Sequence, residues 1–215
     1  MNETLDLYCE RAGSGFWAEP LNAATNLAFV AVALLVVREW LRRKDDIPVL
    51  LLALVTCGIG VGSFLFHTLA TGWSSIADVA PIAVFIVGFF LLAMRRFFGL
   101  GIGWALAATA GFLVASVASV PVFETLFGGS AAYMPALIGL VGVGALMAAR
   151  DDPRASGLLV AAIIFSVSLA FRIVDEPLCA TFPIGTHFMW HILNAAVLYV
   201  AMLTALERPE RGETV

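Results

Sequence analysis

The sequence predicts an all-α integral membrane protein, a bundle of seven transmembrane helices with its N-terminus outside and its C-terminus in the cytoplasm. Three observations carry this. Of the 215 residues, 61% are hydrophobic and 13% charged, and the mean hydropathy is +0.96, far from the half-apolar, quarter-charged balance of soluble domains. The apolar residues fall in runs near the ~20 residues that span a bilayer, separated by short polar breaks. Lys and Arg alternate in sidedness with those runs. A closed β-barrel is excluded because no period-2 alternation is present. The net charge of -4 is too small to bear on nucleic acid, and nucleic-acid binding is excluded by the lack of a basic cluster beyond Arg42, Arg43 and Lys44.

Residues 1–20 are polar and acidic, without the basic start and apolar core of a signal peptide, and are expected to be an extracytoplasmic segment of the mature protein. The first helix is expected over 21–40, stopped by REWLRRKDD. The second runs over 48–68, and the third over 75–94, ending at Arg95 and Arg96. The fourth covers 102–120, followed by the loop FETLFGGS. The fifth covers 131–149, closed by RDDPR. The sixth covers 155–174 before the loop DEPLCATFPIGT, and the seventh covers 185–206. A cytoplasmic tail over 207–215 completes one domain over 1–215. With seven crossings, Arg38, Arg42, Arg43, Lys44, Arg95, Arg96, Arg150, Arg154, Arg208 and Arg211 share one face. Only Arg11 and Arg172 lie on the other, as the positive-inside rule requires. Trp17 and Trp73 are then expected at the outer interface, Trp40 and Trp104 at the inner one.

The chain has three histidines, His67, His187 and His191. In this topology all three fall in the outer leaflet, with Asp78 at the same depth and Ser63 one turn inward of His67 on its helix face. Polar groups within spanning segments are costly and face a partner or a cavity. The H-x-x-x-H spacing aims two rings at one point, and His67 completes a tripod. Three nitrogens with an open position are the catalytic zinc arrangement. Such a metal lowers the pKa of its water to about 7 and polarises a carbonyl. Asp78 then serves as acid and base, and Ser63 steadies an oxyanion or orients His67 or the water. The reaction read from this is hydrolysis of a lipid amide or ester. Blander readings stand beside it: histidines as helix–helix hydrogen bonds, Asp78 as a helix N-cap in competition with Ser74 or Ser75, Ser63 bonded to its own backbone. Arg172, Asp175 and Glu176 are expected to pair locally at the outer end of the sixth helix. Cys57 lies within the second helix and reads as a buried thiol, while Cys9 and Cys179 fall in outer segments where oxidation is permitted.

These motifs, S-F-L-F-H, Asp78 and H-F-M-W-H, with Y-C-E-R and W-A-E-P-L-N near the N-terminus, resemble the alkaline ceramidase family, part of a seven-helix superfamily that also holds progestin and adiponectin receptor-type proteins. The resemblance implies a zinc-dependent hydrolase of linear amides, releasing a sphingoid base and a fatty acid from ceramide or another N-acyl lipid. It also implies a calcium site in the N-terminal segment. Carried over, that site takes Glu10 and Glu19, with Asp6 and a carbonyl at Tyr8. Leu7 stands where the family has its aspartate and Ala12 where it has an asparagine. A Cys9–Cys179 disulfide is implied too. The alternative functions are a receptor of the same superfamily with a structural or sensing metal, and a transporter using His and Asp as a proton relay. The transporter fits less well because the polar cluster lies near one face and not at the midplane.

Overall fold

The computed structural model describes residues 4–43 and 46–206, and the described residues form helices and turns. The helices are α1 (Pro20–Thr25), α2 (Leu27–Arg43), α3 (Ile47–Leu69), α4 (Gly72–Arg96), α5 (Ile102–Phe127), α6 (Met134–Ala148), α7 (Ala155–Leu178) and α8 (His187–Ala205), with a 3₁₀ turn at Gly128–Tyr133. Six stretches are long and apolar enough to cross a membrane: Pro20–Arg42, Ile47–Leu69, Gly72–Arg96, Ile102–Ala148, Ala155–Leu178 and His187–Ala205. The expected fourth and fifth crossings both lie within Ile102–Ala148. Lys44, Arg208, Arg211 and the tail over 207–215 lie outside the described residues.

Helix ends depart from the sequence reading for local reasons. The first expected helix divides at Asn26, whose Nδ2 donates to the Asn22 carbonyl at 2.9 Å. The fourth continues through Pro121 to Phe127; proline is tolerated in spanning helices where neighbours restore the lost backbone bond. The last begins at His187 and not at Gly185, because Gly185 holds φ +67°, outside helical backbone.

α3 is central, touching α1, α2, α4 and α8, while α8 also packs along α7. Close approach depends on missing side chains. A Cβ on Gly60 would stand 3.0 Å from the Asn26 carbonyl oxygen, and one on Gly62 would stand 1.9 Å from the Ala77 carbonyl oxygen. Small residues at such crossings let helix backbones pack where lipid offers no hydrophobic drive. Phe29, Val49, Ile59, Leu158 and Met202 fill the core between these helices.

Each end of the bundle is tied by a buried charge. At one end Asp46 accepts from the Val49 backbone N–H at 3.2 Å, capping α3, and Arg96 donates to both Asp46 oxygens at 2.8 and 3.2 Å. Arg96 also donates to the Ala205 carbonyl at the C-terminus of α8, where a cation meets the negative end of the helix dipole. At the other end Asp175 of α7 accepts from the backbone N–H groups of Thr186 (2.6 Å), His187 (2.9 Å) and Cys9 (3.2 Å). One carboxylate thereby caps α8 and fastens the N-terminal segment beside it.

Candidate functional site

At the Asp175 end, His67 from the last turn of α3 meets His187 and His191 from the first two turns of α8. The three side chains are fully buried. Each offers a ring nitrogen, and these nitrogens lie within 4.8 Å of one another. His67 Nε2, His187 Nδ1 and His191 Nε2 have no hydrogen-bond partner. A buried polar atom left bare costs about 1–3 kcal/mol, and here three share one small volume. A divalent cation answers all three at once, and imidazole nitrogen suits zinc and its transition-metal neighbours. The site fits a metal on that ground.

The other faces of the rings show how the free nitrogens are kept bare. His67 Nδ1 lies 2.6 Å from Glu19 Oε2; the carboxylate holds the proton at Nδ1 and leaves the Nε2 lone pair inward. His191 Nδ1 lies 2.9 Å from Thr25 Oγ1. That hydroxyl gives its proton to the backbone carbonyls of Leu21 and Asn22, so it accepts from Nδ1–H, and His191 Nε2 is the bare one. The Tyr8 ring stacks on His187 at 3.7 Å between centroids. Burial pushes the Tyr8 phenol up, well above its ordinary range, so it stays neutral.

Behind the rings stands Arg11, whose Nε donates to Glu19 Oε1 at 2.5 Å and whose terminal nitrogen donates to the His67 carbonyl at 3.2 Å. Asn22 Nδ2 donates to Glu19 Oε2 at 3.0 Å. Burial alone would raise Glu19; its hydrogen bonds to His67 and Asn22, with the Arg11 guanidinium, hold it below its ordinary value. Glu10 accepts from the Leu21 and Asn22 backbone N–H groups at 2.6 and 2.7 Å, capping α1.

The residues carried over for calcium stand as follows. Glu19 serves Arg11, Asn22 and His67, Glu10 serves the start of α1, Asp6 is exposed, and Tyr8 lies against His187. Among the described residues, the group of three or more His, Cys, Asp or Glu side chains within reach of one ion is the three histidines.

Asp78 lies in the second turn of α4, buried, with the Ser63 hydroxyl of α3 near its carboxylate. His67 and Arg172 both lie near enough to Asp78 to act on its carboxylate. Asp78 does not cap its helix: Thr71 does, its backbone N–H donating to Ser74 Oγ at 2.9 Å. The missing Cβ of Gly62 is what lets α3 approach the backbone of Ala77 and Asp78.

Arg172 departs from the expected pairing with Asp175 and Glu176. Asp175 is taken by backbone donors, and the Arg172 guanidinium turns into the bundle. There it donates to Ser130 Oγ at 2.8 Å and lies 5.1 Å from the Tyr133 ring and 5.7 Å from that of Trp190. Cys9 and Cys179 form a disulfide with Cα atoms 5.0 Å apart, which joins the segment bearing Tyr8 and Glu10 to the turn before α8. Cys57 is a free, half-buried thiol. The sequence reading had no role for Arg11, Thr25 or the Tyr8 ring. Their one signal was polarity on otherwise apolar or short segments, which does not say where a side chain points.

No curated protein matches the chain. A family model described as Ceramidase matches residues 4–210, a range that takes in the histidines, Asp78 and the N-terminal support alike, and the chain belongs to the ceramidase family.

Proposed function

We propose that this protein is a zinc-dependent membrane amidase that cleaves the N-acyl amide of ceramide-like lipids into a sphingoid base and a fatty acid. The observation that carries the reading is the convergence of three unpartnered, buried imidazole nitrogens beside the Ser63–Asp78 pair. Membership of the ceramidase family supports the substrate class.

His67, His187 and His191 would hold the zinc, which supplies a Lewis acid able to polarise the amide carbonyl and acidify water. Asp78 holds the attacking water through a carboxylate oxygen and takes its proton. It then returns that proton to the amide nitrogen as the C–N bond breaks, so that an amine and a carboxylic acid leave. The Ser63 hydroxyl donates to Asp78 and fixes which oxygen faces the substrate. Glu19 and Thr25 orient the imidazoles.

The single domain is proposed to cross the membrane seven times. Read as one straight helix, Ile102–Ala148 would reach about 70 Å at 1.5 Å per residue, more than twice a ~30 Å hydrocarbon core. The 3₁₀ turn at Gly128–Tyr133 reverses the chain so that α5 and α6 cross separately. That count places the N-terminus and the histidines at the extracytoplasmic face and the C-terminus in the cytoplasm, in agreement with the distribution of Lys and Arg.

The test is metal analysis of detergent-purified protein, followed by incubation with a panel of N-acyl and ester lipids. Stoichiometric zinc is expected, lost in His67→Ala and His191→Ala, with fatty acid released from N-acyl lipids by the wild type. Full zinc loading with no release from any lipid would overturn the amidase reading.

A further inference from the structure

A cavity opens inside the bundle one helical turn inward of the histidines. Its walls come from α3 to α8, with Ile59, Phe85, Phe112, Val143, Phe165 and Val197 among them, and only two lining residues carry polar side chains, Tyr133 and Asn194. Tyr133 is engaged, with the Arg172 guanidinium 5.1 Å from the centre of its ring. Asn194 is buried, and its side-chain amide makes no hydrogen bond to any described residue.

Lipid offers no partner to such a group, and a buried amide left unpaired costs about 1–3 kcal/mol. A leucine would fill the position without that penalty. The placement says what the amide could meet. Asn194 follows His191 by three residues on the same face of α8, about 4.5 Å further along the axis. On α4 the lining residues Ile82, Phe85 and Phe89 descend from Asp78 in the same direction. A lipid amide held between the histidines and Asp78 would lay its acyl chain into this cavity, with the first carbons after the carbonyl beside Asn194.

Resting on the amidase reading, we propose that Asn194 reads a hydroxyl group carried by the acyl chain close to the amide, and that N-(hydroxyacyl) lipids are the preferred substrates over their plain N-acyl counterparts. A hydroxyl both donates and accepts, matching the carbonyl oxygen and the NH₂ of one asparagine side chain. A site built around such a bond rejects the analogue that lacks it, because its own polar group is then left bare.

The experiment is displacement of a fluorescent fatty acid from the detergent-solubilised full chain by palmitate, 2-hydroxypalmitate and 3-hydroxypalmitate. It reads the cavity without requiring turnover. The wild type is expected to bind one hydroxy acid at least about tenfold more tightly than palmitate, the equivalent of about 1.4 kcal/mol. Asn194→Leu and the smaller Asn194→Ala are expected to bind all three acids alike, and Asn194→Leu to melt no lower than the wild type. Equal affinities in the wild type, or a preference that survives in both variants, would overturn the proposal. A hydroxyl preference in binding, with no lipid hydrolysed by zinc-loaded protein, would leave the cavity assignment standing and remove the amidase reading. Hydrolysis of hydroxylated and plain amides at equal kcat/KM, with equal binding of the acids, would do the reverse.

Discussion

At His67 a single proton decides what the ring can do. Glu19 holds that proton at Nδ1, 2.6 Å away, and so presents a bare Nε2 to the other two imidazoles. Glu19→Gln removes the charge and keeps the shape. Metal affinity is expected to fall about 10–100-fold, measured by competition with a chelator. The same carboxylate links stability to pH. Its folded pKa is lowered, so its contribution is present in full above the ordinary glutamate value of 4.5 and is lost as pH falls below it toward the folded value. Melting temperatures of wild type and Glu19→Gln should therefore differ at pH 7 and converge as the solution is acidified below that value. Asp78→Asn tests the proton transfer. Zinc content should stay at the wild-type level while amide hydrolysis falls about 10²–10⁴-fold. Loss of zinc in that variant would instead make Asp78 a support of the metal site.

At the scale of helices, the site depends on how closely α3 and α4 approach. Gly62 sits beside Ser63 on α3, and its missing Cβ leaves room for the Ala77 carbonyl on α4. Gly62→Ala must push the two helices apart and carry Asp78 away from Ser63. A loss of about 1–3 kcal/mol is expected, with lower activity and with zinc retained, because none of the three histidines lies on the part of α4 that moves. Gly60→Ala meets its neighbours at 3.0–3.1 Å and should cost less. A Gly62→Ala protein as stable and active as wild type would mean that the α3–α4 contact is looser than described. The expected helices were legible from hydropathy, because a lipid-facing helix declares itself by composition. Their ends were less so: the break at Asn26 is set by its side-chain bond to the Asn22 carbonyl, and the late start at His187 by the backbone of Gly185 and the Asp175 carboxylate that receives the Thr186 and His187 N–H groups.

Across the whole molecule, two clamps hold opposite ends of the bundle. Arg96 joins α3, α4 and α8 at one end. At the other, Asp175 and the Cys9–Cys179 disulfide fasten the N-terminal segment over the histidines. Cys9→Ser with Cys179→Ser frees that segment, which carries Tyr8 and Glu10. A lower melting temperature is expected, together with faster zinc loss to a chelator, since the Tyr8 ring no longer has to stay against His187. Topology is tested at this scale as well. Seven crossings put the ends of the chain on opposite faces, and six put them on one. Reporter fusions at each terminus should give the N-terminus outside and the C-terminus in the cytoplasm; both reporters on one face would return the count to six.

Composition and hydropathy alone determined that the chain is helical, with runs long and apolar enough to cross a membrane, because burying a helix in hydrocarbon needs such runs. The scarcity of histidine made His67, His187 and His191 stand out, since an imidazole in an apolar helix needs a reason to be there. What the tertiary structure decided is who answers whom. Glu19 stands behind His67, Arg172 read as a local partner of Asp175 and Glu176 and turns inward, and Thr25 and Asn194 had no assigned part. Depth along a helix follows from residue number at 1.5 Å per step. The partner across a helix crossing does not, because it depends on where two backbones approach, and that was settled at positions such as Gly60, Gly62 and Gly185 by side chains that are absent.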